Sequence, residues 1–135
     1  MSRIVRGVWV LVSVLVLSAT AGPSGSAGAA TQPPVSTAQL QAMLSQGGEA
    51  VFLLDVRTSG EWARGRIPGS VHIPMDEIPR RLQEIPRDKK VVAVCASGAR
   101  SEAVARYLDQ QGFPWVANYR DGVFGWSRSG LELER

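Results

Sequence analysis

Cys95 is the only cysteine of the 135-residue chain, and its neighbours are of types that make a thiol react. Val91, Val92, Ala93 and Val94 run straight into it. Ala96, Ser97, Gly98 and Ala99 follow as a loop of small residues, then Arg100, Ser101 and the segment Glu102-Ala103-Val104-Ala105-Arg106-Tyr107-Leu108. A short apolar run bounded by loop signals predicts a strand buried on both faces of a parallel sheet. Val104, Tyr107 and Leu108 on one face of the following segment predict a helix packed on that sheet. Cys95 therefore stands where a strand ends and a helix begins, the place where open α/β sheets hold their ligands.

A helix N-terminus offers N–H groups without intrahelical partners, and its dipole favours negative charge. The N–H groups from Ala96 to Arg100 can curl around a sulfur atom, with Gly98 taking backbone angles that other residues resist. Such a site lowers a thiol's pKa, and the Arg100 guanidinium acts in the same sense. The thiolate is the nucleophile, so Cys95 is expected to react. Ala96, Ser97, Gly98 and Ala99 have almost no bulk, which leaves room for a small anionic substrate above the sulfur. The opposing reading is a buried structural thiol. The small loop and the arginine favour reaction.

Cys95-Ala96-Ser97-Gly98-Ala99-Arg100-Ser101 resembles the active-site loop of the rhodanese family, the single-domain sulfurtransferases. Three further stretches agree in the family's order: Asp55-Val56-Arg57 with Glu61-Trp62 behind it, the run from Gly65 through Ile67-Pro68-Gly69 to His72-Ile73-Pro74, and Asp121-Gly122-Val123-Phe124-Gly125-Trp126. The match extends from about Val35 to Leu133. Arg66 stands where the family often has histidine, and Asp121 where a glycine is usual. The resemblance implies a five-stranded parallel sheet with helices on both faces. It also implies a persulfide on Cys95, charged by a donor such as thiosulfate and discharged to cyanide or a thiol.

The elements that must position the loop are legible on either side of it. Val35 to Leu44 reads as a short strand, an N-cap and a helix ending at Gly47-Gly48. Val51-Phe52-Leu53-Leu54-Asp55 is a second buried strand, which puts Arg57 on the same sheet edge as Cys95. Arg57 is either a second positive charge near the anion pocket or the partner of Asp55 or Glu61, and loop-tying is favoured. Residues 59–64 predict a short helix with Trp62 in the core. His72, the single histidine, lies in the short strand 71–73 and is expected to be a hydrogen-bonded structural residue. A thiolate held by helix N–H groups needs no histidine to remove its proton, which separates this chain from Cys-His hydrolases. Residues 76–85 predict a helix burying Ile78, Leu82 and Ile85, and residues 115–119 the last strand. Residues 123–128 predict a short helix whose Phe124 and Trp126 close the core. Alternating strands and helices without hairpin signals predict a parallel α/β sheet.

The N-terminus reads differently. Arg3 and Arg6 precede the apolar run from Val8 to Leu17, and Ala19-Thr20-Ala21 has the small-residue spacing of a secretory cleavage site. The run is well short of the roughly 20 residues that span a bilayer. Residues 1–21 are expected to be a signal peptide, with cleavage as late as residue 30, and residues 22–34, rich in Gly, Pro and Ser, a flexible linker. The folded unit is expected at 35–135, in a periplasmic or secreted protein that is monomeric and free of the membrane once the leader is removed.

Removing Arg3 and Arg6 from the formal net charge of +3 leaves +1, and no basic run is present, which excludes a nucleic-acid partner. One cysteine makes neither an internal disulfide nor a metal cluster, and no cofactor is called for. The expected partners are a small anionic sulfur donor and a thiol or protein acceptor. Two other activities share these residues: a persulfide carrier or binding module without turnover, and a cysteine phosphatase or arsenate reductase. The latter enclose five residues between cysteine and arginine where Cys95 and Arg100 enclose four, a ring better suited to one sulfur than to a tetrahedral oxyanion.

Overall fold

The computed structural model describes residues 31–135; the expected signal peptide and most of the linker lie outside them. Two apolar runs make the centre of a parallel sheet, β1 (Val51–Asp55) and β3 (Lys90–Val94), paired from Val51 with Lys90 to Asp55 with Val94. The short β2 (Val71–His72) flanks β1 and β4 (Val116–Asn118) flanks β3, so the order is β2-β1-β3-β4. The helices are α1 (Thr37–Gly47), α2 (Ser59–Arg64), α3 (Ala99–Gln110) and α4 (Gly122–Arg128).

Side chains alternate across a strand, and β3 divides its own between two cores. Val91, Ala93 and Cys95 pack with Leu54, Ile73, Val104, Leu108 and Phe113 on the α3 side. Val92 and Val94 pack with Leu40, Leu53, Ile67, Tyr119, Val123 and Trp126 on the other. Cys95 thus continues the α3-facing register of its strand and is 1% exposed.

Three expectations are corrected. The sheet has four strands rather than five. Thr31 and Val35 take the fifth place beside β4 through isolated parallel bridges to Val116 and Tyr119, with Gln32 N donating to Val116 O at 2.7 Å and Val35 N to Asn118 O at 2.8 Å. Pro33 and Pro34 sit between these bridges and have no N–H to donate, so the ladder is interrupted there. Residues 76–85 form two 3₁₀ turns, Met75–Arg80 and Leu82–Glu84, instead of an α-helix. Pro79 removes the donor an α-helix would need, while Ile78 and Ile85 are buried as expected. Phe124 is 59% exposed. Val123 and Trp126, three apart, share the inward face of α4, and Phe124 falls outside it.

Candidate active site

β3 delivers Cys95 to a turn that α3 completes. Gly98, the N-cap of α3, adopts φ 94°, and its N–H donates to Cys95 Sγ at 3.1 Å. A Cβ at Gly98 would lie 2.4 Å from Arg120 O, so the residue is required by conformation and by space together. The loop is held from behind by α4: Val123 N donates to Cys95 O at 2.9 Å and Phe124 N to Ala96 O at 3.1 Å. Gly122 permits that approach, since a Cβ there would come within 2.3 Å of Ala96 O. Asp121, where the resemblance leads one to expect glycine, accepts from Thr37 N and Oγ1 at 2.8 and 2.9 Å and so ties the start of α1 to the start of α4.

Burial pushes the Cys95 thiol pKa up, but hydrogen bonds from the Ser101 hydroxyl and from the amides of Ser101, Ser97 and Gly98 outweigh it and hold the thiol below its usual range. Ser101 Oγ lies 3.2 Å from Sγ. Among the loop residues expected to surround the sulfur, Gly98 touches it, Ala96 is half-buried, and Ser97 and Ala99 are exposed at the lip.

Arg100 is placed differently from expectation. Its guanidinium forks onto Glu61 of α2, with Nη1 to Oε2 and Nη2 to Oε1 both at 2.8 Å. The Glu61 carboxyl is pulled down to about 2, chiefly by this bond. The Arg100 pKa is raised, first by Glu61 and in smaller part by charge on Cys95 and Asp55. Arg100 also borders a cleft of about 370 Å³ lined by Val56, Arg57, Thr58, Pro74, Met75 and Asp76. The positive charge beside the sulfur is thus shared with a carboxylate.

Asp55 and Arg57 form a buried ion pair, and Arg57 also lines the cleft that Arg100 borders. Arg57 Nη2 meets Asp55 Oδ2 at 2.7 Å and Gly65 O at 2.8 Å, with Asp55 fully buried and Arg57 5% exposed. His72 Nε2 lies 2.7 Å from Arg57 O, and because a carbonyl only accepts, this nitrogen carries the proton. The His72 ring stacks on Trp62 at 4.8 Å, and Arg66 covers Trp62 at 4.8 Å. Trp62 is therefore sandwiched at the edge of the domain rather than sunk in its core. His72 does not contact the sulfur.

Ser101 and Asn118, near the site, carried no expectation of a role of their own, and Glu61 was expected only as a partner of Arg57, whereas its carboxylate binds Arg100. Ser101 and Asn118 are buried, and Ser101 Oγ lies 2.6 Å from Asn118 Oδ1. The available signal for Asn118 was an amide between the apolar run Trp115-Val116-Ala117 and Tyr119 in the last strand, since buried polar groups require partners. Glu61 offered the capping box it forms with Thr58, which hid its second task.

Residues 36–129 match the rhodanese-like domain. The chain belongs to that family. This rhodanese-like domain is 48% identical over 85 residues to a sulfurtransferase of Allochromatium vinosum, covering 63% of this chain and 79% of that one. It is 31% identical over 86 residues to the thiosulfate sulfurtransferase GlpE of Actinobacillus pleuropneumoniae, covering 64% and 80%. A rhodanese-like domain protein from Staphylococcus aureus superimposes with a TM-score of 0.68 at 35% identity, over 77% of this chain and all of that one. Sulfur transfer is accordingly the general chemistry of the rhodanese-like domain described here.

Proposed function

We propose that the protein moves a sulfane sulfur from a small anionic donor such as thiosulfate to a thiophilic acceptor through a persulfide on Cys95. The observation that carries this reading is the Cys95 sulfur itself, set at a strand–helix junction with Gly98 N donating to it at 3.1 Å and Ser101 Oγ 3.2 Å away. The Cys95 thiolate attacks the outer sulfur of thiosulfate. The S–S bond of the donor breaks, sulfite leaves with its electron pair, and Cys95 holds a persulfide whose terminal sulfur is anionic. Cyanide or a thiolate then attacks that terminal sulfur, the S–S bond to Cys95 breaks, and the Cys95 thiolate is restored. In this ping-pong cycle the donor is reduced, the acceptor is oxidised and no external oxidant is needed. The loop amides hold the charge, while Arg100 with Glu61 borders the approach. Because the Arg100 fork is already occupied, a tetrahedral oxyanion lacks the clamp that a phosphatase needs. Export to the periplasm or beyond belongs to the same reading: an unpaired thiol retained there has a use in sulfur exchange. The test is thiosulfate:cyanide sulfurtransferase activity in wild type and Cys95→Ser. Activity lost with the fold retained supports the assignment, and activity retained in the serine variant overturns it.

A further inference from the structure

One proton serves three acceptors behind the Cys95 sulfur. Ser101 Oγ lies 2.6 Å from Asn118 Oδ1, 3.2 Å from Cys95 Sγ and 3.2 Å from Gly98 O. The Asn118 amide has one orientation available. Its Nδ2 donates to Gly98 O at 3.1 Å, and a carbonyl can only accept, so Oδ1 must face Ser101. Oδ1 can in turn only accept, which draws the Ser101 proton toward Asn118 and leaves the hydroxyl's lone pairs facing the sulfur. That arrangement receives a hydrogen bond from a thiol S–H or sits beside a neutral sulfur. A thiolate requires the opposite, with the hydroxyl turned to donate to Sγ and Asn118 Oδ1 left buried without its donor, a state that costs free energy.

We propose that Asn118 is a positioning residue for the nucleophile: its amide sets the direction of the Ser101 hydroxyl and couples that direction to the charge on Sγ. The use of this coupling rests on the sulfur-transfer reading. Sγ is anionic before attack and loses its charge when the persulfide forms, the charge passing to the terminal sulfur. Ser101 is then released to Asn118, so Asn118 favours the loaded state over the free thiolate. The charged groups on the elements around Cys95 are Arg100, Glu102, Arg106 and Asp109 of α3, Glu61 of α2 bound to Arg100, the Asp55–Arg57 pair at the end of β1, Asp76, Glu77 and Arg80 of the turn 75–80, and Arg120 and Asp121 ahead of α4. None of them touches the Ser101–Asn118 hydrogen bond, and a neutral substitution at Asn118 leaves each in place.

The test is the pH dependence of Cys95 alkylation by iodoacetamide, which needs no sulfur transfer. Asn118→Leu keeps the side chain's shape and removes the acceptor, freeing Ser101 for the thiolate; the alkylation midpoint should fall by about half to one pH unit, three- to tenfold in acidity. In a Ser101→Ala background the same substitution should leave the midpoint where Ser101→Ala alone puts it. In unmutated protein the side-chain amide resonances of Asn118 should move through the Cys95 titration, and far less so in Ser101→Ala. An unchanged or raised midpoint in Asn118→Leu, an equal fall without Ser101, or an amide signal that ignores the titration would overturn the inference. A protein that behaves as expected here yet transfers no sulfur would refute the functional reading alone.

Discussion

At the scale of single residues, the site works through short-range hydrogen bonds more than through a free cation. Ser101 is the first cause that lowers the Cys95 thiol pKa against burial, so Ser101→Ala should move the alkylation midpoint upward, read from the pH profile of inactivation. Arg100→Ala should lower kcat/KM for an anionic donor about ten- to a hundredfold, because it removes a charged hydrogen-bonding group and leaves the Glu61 carboxylate unpaired at the mouth. Adding Glu61→Gln should restore part of the loss, and steady-state kinetics of the three variants decide. A guanidinium without influence on the donor would give unchanged kinetics in Arg100→Ala. The pair contributes little to folding, since its side chains are 36% and 28% exposed and such pairs are worth about 1 kcal/mol or less. The sign follows from Glu61, whose folded value of about 2 lies below the usual 4.5. That stabilisation is complete above about pH 4.5 and is lost as the pH falls toward 2.

At the scale of elements, the loop is held in its curl by backbone contacts that only glycine permits. Gly98→Ala would set a Cβ against Arg120 O at a φ of 94°, and is expected to destabilise the protein by more than about 2 kcal/mol, measured by urea unfolding. A variant as stable as wild type would contradict the close approach of the α3 and α4 starts. The strand runs and α3 were legible in the sequence because their burial follows a simple period, Val91, Ala93 and Cys95 on one side and Val92 and Val94 on the other. The stretch 76–85 was misjudged because its apolar spacing is helical while Pro79 denies it the α-helical bond. Phe124 was misjudged because a seven-residue helix fixes its inward face by packing, which no local pattern displays. Cys95 and its loop were legible from residue types. The polar partners around it were not, because Asn118 meets Ser101 only across the fold and Glu61 reaches the loop only through Arg100.

At the scale of the molecule, the two cores lock the sheet from both sides, and the buried Asp55–Arg57 pair joins β1 to the α2 segment through Gly65 O. Asp55→Asn would leave a buried guanidinium without its counter-charge, an effect of about 3–5 kcal/mol that calorimetry should register as a large fall in Tm. Residues 1–30 lie outside the described part of the chain, and export remains an expectation from Arg3, Arg6 and the apolar run after them. N-terminal sequencing of protein recovered from cells should find a start between Gly22 and Thr31. A chain still carrying Val8 to Leu17 would speak for a retained anchor.

The central claim is that Cys95 carries the sulfur, and mass spectrometry of the purified protein after thiosulfate treatment tests it most directly. The account predicts one added sulfur atom on the peptide containing Cys95, removed by cyanide with release of thiocyanate. A Cys95 peptide of unchanged mass, recovered from folded protein with the donor intact, would contradict it.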